Sequence, residues 1–244
     1  MTGQLSMGFV LGRAPVIPVL AIEEPDHAVP LAEALVAGGL PVLEVTLRTP
    51  VALEAVEAIA RQVPDALLGV GTFTQADQAR SAADAGARFL VSPGLTDRLV
   101  VAADAADLPL LPGVATPSEL MRAAEAEITH LKFFPAEVNG GIAALKALGG
   151  PFPAARFCPT GGVSPRNYLD YLQLPNVLCV GGTWLAPPDA VAAGDWARIS
   201  ALAAGASGRR VPGESRHSAF GDAGADWYSV AGEEDPGSAD EDLR

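Results

Sequence analysis

The segment VLEVTLRTPVALEAVEAIARQVPDALLGVG, residues 42–71, decides the architecture of the chain. It opens on VLEVTL, where Leu43, Val45 and Leu47 alternate with Glu44 and Thr46, and it closes on a second apolar run, ALLGVG at 66–71. Between the two, Pro50 stands near a helix start and the following stretch carries apolar residues at three- and four-residue spacing. Strand, helix and strand in that order form a unit with two parallel strands, because the helix carries the chain back to the edge where the first strand began.

The same rhythm continues on both sides. VIPVLAI (16–22) precedes the segment, and RFLVSP (88–93), LPLLPG (108–113), HLKFFP (130–135), RFCPTG (156–161) and VLCVGG (177–182) follow it. Each run leads into an Ala-rich helical stretch. Prolines at Glu24-Pro25, Thr49-Pro50, Thr116-Pro117 and Ser164-Pro165 fall near first helical positions, where a missing N–H costs nothing. Eight β/α pairs between Val16 and about Ala204 predict an α/β chain folded as a single (β/α)8 (TIM) barrel. Hydrophobic residues make up 49% of the 244 positions and aromatics 6%, so the interior is expected to be Ala, Val and Leu, as suits helices on parallel strands.

The barrel is expected to occupy residues 1–206, including a short N-terminal segment, with an acidic extension over 207–244. From His217 to Arg244 eight Asp or Glu face one Arg, so about −7 of the net charge of −13 lies there. Such a composition buries too little apolar surface to offset ordering entropy, so disorder is expected. Phe220, Trp227 and Tyr228 offer the alternative of docking on the barrel or on a partner. The acidic balance argues against nucleic acid as a ligand. MTGQLSMGFVLGRAP has no secretory pattern and no run is long enough for a membrane span, so a soluble, cytoplasmic protein is expected. The two cysteines, Cys158 and Cys179, read as reduced core residues and, with three His, as poor material for a metal site.

Cation usage singles out one residue. Fourteen of the 16 cationic side chains are Arg, and the two Lys are Lys132 and Lys146. Lys146, in the helical IAALKALGG, reads as a solvated surface charge. Lys132 lies inside the apolar strand HLKFFP, where alternation sends Leu131 and Phe133 one way and His130, Lys132 and Phe134 the other. In a barrel that turns Lys132 inward near the C-terminal rim, where such folds hold their sites. Desolvation there favours the neutral amine, a nucleophile toward carbonyls. A structural ion pair with a buried carboxylate is the competing interpretation.

On VLEVTLRT, Glu44, Thr46 and Arg48 share the inward face. A carboxylate suits acid–base work and a guanidinium forks onto a substrate carboxylate, although the two side chains can also simply pair with each other or with Lys132. The glycine pairs of FCPTGGVSP and CVGGTW let backbone N–H groups approach a ligand, and Ser164-Pro165 is expected to open a helix whose N-terminus favours an anion.

Taken together, VLEVTLRT, VGTFTQADQA, GARFLVSPGL, LPGVATPSE, LKFFPAEVNGG and RFCPTGGVSPRNY resemble the 2-keto-3-deoxy-6-phosphogluconate aldolase family, whose members often also cleave 4-hydroxy-2-oxoglutarate. The likeness runs in order through residues 10 to 204. It implies a metal-independent, cofactor-free aldolase in which Lys132 forms an imine with the 2-keto carbon and Glu44 shuttles protons. It further implies that Arg48 and Thr72 meet the pyruvyl carboxylate, that Pro93 lines the site, and that Thr160 bears on the configuration at C4. The phosphate cradle of the family falls on Gly161, Gly162, Gly181, Gly182 and Thr183, with Thr where Ser is expected. Phe73 replaces an expected aliphatic residue, and the acidic tail is a second departure. The resemblance also implies a homotrimer. A galactonate-branch aldolase, a non-lyase sugar-phosphate binder and a catalytically idle trimeric scaffold are the alternatives.

Overall fold

A computed structural model describes residues 5–208. The expectations for Phe220, Trp227, Tyr228 and the rest of the acidic extension beyond Gly208 lie outside the described residues.

The apolar runs form β1 (Val16–Leu20), β2 (Val42–Thr46), β3 (Leu67–Gly71), β4 (Phe89–Val91), β5 (Leu110–Leu111), β6 (Gly113–Val114), β7 (His130–Phe133), β8 (Arg156–Pro159) and β9 (Val180–Gly182). Every pairing is parallel. A curled six-stranded sheet has the order β5-β4-β3-β2-β1-β9, and a three-stranded sheet the order β6-β7-β8. Isolated parallel bridges, Phe157 with Val177 and Thr160 with Gly181, run between the second sheet and the end of the first. The expected fifth strand, LPLLPG, is therefore two short strands divided at Pro112. Leu111 pairs with Val91 on one side and Gly113 with Lys132 on the other, and Pro112, which lacks an N–H, contributes only its carbonyl, accepting from Lys132 N–H at 2.9 Å.

Helices α2 (Ala28–Ala37), α3 (Ala52–Gln62), α4 (Gln78–Asp84), α5 (Asp97–Ala105), α6 (Pro117–Glu125), α7 (Gly141–Gly149), α8 (Tyr168–Leu172), α9 (Pro188–Ala192) and α10 (Trp196–Ser207) follow the strands. Thr116-Pro117 starts α6 as expected: Thr116 and Glu119 close a capping box, with Pro117 at the first helical position. Two proline signals correct to turns. Pro25 opens a single 3₁₀ turn ahead of α2, and Ser164-Pro165 sits in a turn closed by Ser164 N–H donating to Asn167 Oδ1 at 2.7 Å, so that α8 begins only at Tyr168. The backbone of Asn167, at φ −127° and ψ −11°, departs from helical geometry and separates this turn from α8. At the far end α10 lies against α2: a Cβ at Gly38 would collide with Ala203, and Ser207 Oγ donates to Gly38 O at 2.8 Å.

Two apolar clusters separate the faces of the strands. Leu43, Val45, Leu90, Leu131 and Phe133 belong to the outer cluster, between strands and helices. Val42, Phe89, Val91, Leu111, Cys158 and Cys179 belong to the inner one, and α1 (Met7–Gly12) inserts Met7, Val10 and Leu11 among them. This N-terminal helix was expected only as a short segment; Ser6 caps it by accepting from Phe9 N–H at 3.2 Å. Full burial of an aliphatic side chain stabilises by about 1.5–3 kcal/mol, so Val10 and Leu11 make α1 part of the core. Both cysteines are free and buried, and burial together with the Cys158 neighbour pushes the Cys179 thiol well above its ordinary range.

Candidate active site

Along the inward faces of β2 and β8, side chains change from apolar to polar toward the C-terminal end. In β2 the order is Val42, Glu44, Thr46, and in β8 Cys158 gives way to Thr160 one step beyond the strand. The polar ends converge on a cavity of about 350 Å³. All eleven residues selected from the sequence line it: Lys132, Glu44, Arg48, Thr72, Pro93, Thr160, Gly161, Gly162, Gly181, Gly182 and Thr183. Lys146, the other lysine, is exposed on α7. Phe73, the unexpected aromatic, is fully buried in the outer cluster and away from the cavity.

At the cavity floor Lys132 and Glu44 form a buried pair, with Lys132 Nζ donating to Glu44 Oε1 at 3.2 Å and side-chain exposures of 7% and 4%. An unpartnered charge here would be strongly penalised, whereas the pair is compensated and holds a proton donor against an acceptor. The ring of Phe134, just past β7, lies 5.1 Å from Lys132 Nζ and presents its π-face to the cation. Room for Glu44 comes from β3. A Cβ at Gly71 would fall 2.6 Å from Glu44 Cγ and closer still to Oε1.

Of the two pairings open to Glu44, the structure selects Lys132 and leaves Arg48 without a carboxylate partner among the described residues. Arg48 instead donates from Nε to Thr46 Oγ1 at 3.1 Å, and Thr46 in turn donates to Leu20 O at 2.8 Å. That chain orients the guanidinium and leaves its terminal nitrogens for an incoming anion. Thr72, beside it, adopts φ +58°, a left-handed conformation costing a β-branched residue about 1–2 kcal/mol. Its neighbours impose this: Gly71 O accepts from Leu47 N–H at 2.9 Å and Phe73 N–H donates to Val91 O at 3.1 Å, with the Phe73 ring locked in the core.

The opposite wall is backbone. Gly161 (φ +97°) and Gly162 (φ +80°) occupy the left-handed region that favours glycine, and Gly181 and Gly182 adjoin them through the bridge between Thr160 and Gly181. A Cβ at Gly181 would crowd Thr160, 3.0 Å from its Cγ2. The expected contribution of a helix N-terminus at Ser164-Pro165 gives way to this loop. Phe134, Thr46, Val19 and Val163 also line the cavity, and sequence reasoning assigned them no role there. The inward parity of HLKFFP was the available signal for Phe134, and that of VLEVTLRT for Thr46.

The sequence and the architecture have counterparts among known proteins. The sequence pattern of the family described as KDPG and KHG aldolase matches residues 8–202. A 2-dehydro-3-deoxy-phosphogluconate aldolase of Pseudoalteromonas atlantica is 57% identical over 82% of this chain and 94% of its own. The KHG/KDPG aldolase of Escherichia coli K12 is 54% identical over 80% of this chain and 91% of its own. Among solved structures, KDPG aldolase from Legionella pneumophila, with pyruvate captured as a covalent carbinolamine intermediate, superposes with a TM-score of 0.82 at 49% identity, covering 84% of this chain and all of that one.

Proposed function

The chain belongs to the KDPG and KHG aldolase family, and from that membership and the geometry of the cavity we propose that it is a class I aldolase. Its substrate in this reading is 2-keto-3-deoxy-6-phosphogluconate, split into pyruvate and glyceraldehyde 3-phosphate. The observation that carries it is the buried Lys132–Glu44 pair at 3.2 Å, in a cavity also lined by Arg48, which has no carboxylate partner among the described residues, and by a glycine cradle.

After passing a proton to Glu44, Lys132 Nζ adds to the 2-keto carbon; Glu44 returns the proton to the carbinolamine hydroxyl, which leaves as water, so that an iminium and a free Glu44 carboxylate remain. Arg48 and Thr72 hold the carboxylate next to that carbon, Pro93 borders it, and the N–H groups around Gly161, Gly162, Gly181 and Gly182, with the Thr183 hydroxyl, take the phosphate. Glu44 removes the C4 hydroxyl proton through a water molecule. The C3–C4 bond breaks, its electrons passing into the iminium to give an enamine, and the aldehyde departs. Protonation at C3 and hydrolysis return pyruvate and the free lysine. Thr160, beside the reacting carbons, is assigned to C4 configuration, favouring the gluconate over the galactonate epimer.

The name of the Escherichia coli relative supports a second substrate, 4-hydroxy-2-oxoglutarate, in the same cavity. We further read the two sheets as one closed (β/α)8 barrel spanning residues 1–206, with 207–244 as an extension. Support comes from β9 pairing with β1, from the bridges between Phe157 and Val177 and between Thr160 and Gly181, and from α10 resting on α2. No helix among the described residues is long and apolar enough to cross a membrane. A homotrimer is the assembly that the family resemblance implies, and the cytoplasm is the location expected from the sequence.

Borohydride added with pyruvate tests the imine. It is expected to inactivate the enzyme and leave a reduced pyruvyl adduct on the peptide containing Lys132, in the presence of EDTA as in its absence. Lys132→Arg is expected to lose more than about 10⁴-fold in pyruvate release from either substrate, since a guanidinium supplies no free amine, while Lys146→Arg keeps its activity. An adduct on Lys146, or none at all together with inactivation by the chelator, would sink the proposal.

A further inference from the structure

The glycine wall of the cavity is held from behind by residues that do not face the ligand. Thr160 O accepts from Ala136 N–H at 2.8 Å, Gly161 O from Glu137 N–H at 3.1 Å, and Gly162 O from Asn167 Nδ2 at 3.3 Å. In a trans peptide the carbonyl and the following N–H point in opposite directions. Three consecutive carbonyls tied outward therefore turn the N–H groups of Gly161, Gly162 and Val163 inward together, a concave set of donors suited to an anion.

The segment doing the tying is itself braced. Glu137 lays its methylenes against Gly162, where a Cβ would fall 2.6 Å from Glu137 Cβ. Its carboxylate turns away from the cavity and accepts a hydrogen bond from the Tyr171 hydroxyl. Tyr171 is fully buried on α8, one turn beyond Asn167, so one short stretch of chain supplies both braces. Burial, reinforced by the Glu137 carboxylate, pushes the phenol far above its ordinary range, so it remains a donor throughout the working pH of an enzyme.

We propose that Glu137 and Tyr171 are positioning residues for phosphate recognition, fixing the direction of the Gly161–Gly162–Val163 donors without touching the ligand. The inference rests on the assignment of this loop to the phosphate. It separates phosphate affinity from the imine chemistry, because neither side chain lines the cavity that holds Lys132 and Glu44.

The test measures three quantities on the full chain: KM for the phosphorylated substrate, the inhibition constant of inorganic phosphate, and exchange of the pyruvate methyl protons, which involves no phosphate. Tyr171→Phe removes the donor and keeps the ring, and Glu137→Ala, at an exposed side chain, removes the acceptor. Each is expected to raise KM and weaken phosphate inhibition by about tenfold, the scale of one lost hydrogen bond, with proton exchange unchanged. Glu137→Gln retains an acceptor oxygen and is expected to stay within about twofold of wild type on the same scale. Should Tyr171→Phe fail to fold, Glu137→Ala carries the test. If phosphate inhibits the wild type but both truncations keep its inhibition constant, the positioning role is wrong and the cradle stands. If proton exchange falls as KM rises, the pair is merely structural and the proposal is overturned. Absence of competition by phosphate in the wild type would remove the cradle assignment and this inference with it.

Discussion

The two ends of the cavity are built from different materials. The keto-acid end consists of side chains on strands: Glu44 and Thr46 on β2, Lys132 on β7, and Arg48 two residues past β2. The phosphate end consists mostly of peptide groups at strand ends and in loops, around Gly161, Gly162, Gly181 and Gly182. Proton transfer and imine formation need groups that titrate and attack, and only side chains supply them. Binding a spherical, many-oxygened anion needs several donors at close range, which backbone N–H groups supply once side chains are out of the way. The contrast teaches that one end is sensitive to what a residue carries and the other to what it lacks.

The sharpest way to break this division is at Glu44. Glu44→Gln keeps shape and a hydrogen-bond acceptor for Lys132 but removes the base, so kcat is expected to fall by about 10²–10⁴-fold. Inorganic phosphate should inhibit the variant as it does the wild type. Near-normal exchange of the pyruvate methyl protons would show that another group is the base.

A smaller loss is expected from Gly71, a glycine that serves the side-chain end. The methyl of Gly71→Ala enters the space of the Glu44 carboxylate, and displacement by about 1 Å can cost about 10²-fold in rate. Overpacking adds about 1–3 kcal/mol of destabilisation, which thermal melts would record. A variant with lowered Tm but wild-type kcat in the folded fraction would mean that Gly71 does not set the position of Glu44.

The smallest effect sharpens the comparison from the other side. Thr183→Ala deletes one neutral hydroxyl from the phosphate end, so KM is expected to rise by about 3–10-fold at constant kcat. A fall in kcat with unchanged KM would place Thr183 among the groups that act on the reacting carbons.

Much of this was legible in order along the chain. Parity within VLEVTLRT and HLKFFP turned Glu44, Thr46 and Lys132 to the same side as the structure does, because the two-residue period of a strand is local and strict. The break at Pro112 and the late start of α8 were not legible. Each depends on context beyond the local pattern: Leu111 and Gly113 pair with different neighbouring strands, and the backbone of Asn167, at φ −127° and ψ −11°, separates the turn at Ser164 from α8. The core role of α1 escaped notice because six residues of mixed composition carry little periodicity, and their value lies in the inner cluster they complete.

By itself the sequence determined most of the succession of strands and helices, the inward or outward sense of the residues in VLEVTLRT and HLKFFP, and the family that the chain resembles, since all three are written in local order and spacing. Only the tertiary structure decided which charges meet. Glu44 and Lys132 lie 88 positions apart, and their pairing, the release of Arg48 to Thr46, and the bond from Tyr171 to Glu137 behind the glycine wall all depend on how strands and loops close in space. Contacts of that kind arise from packing between elements, which the local periodicity of any one element does not encode.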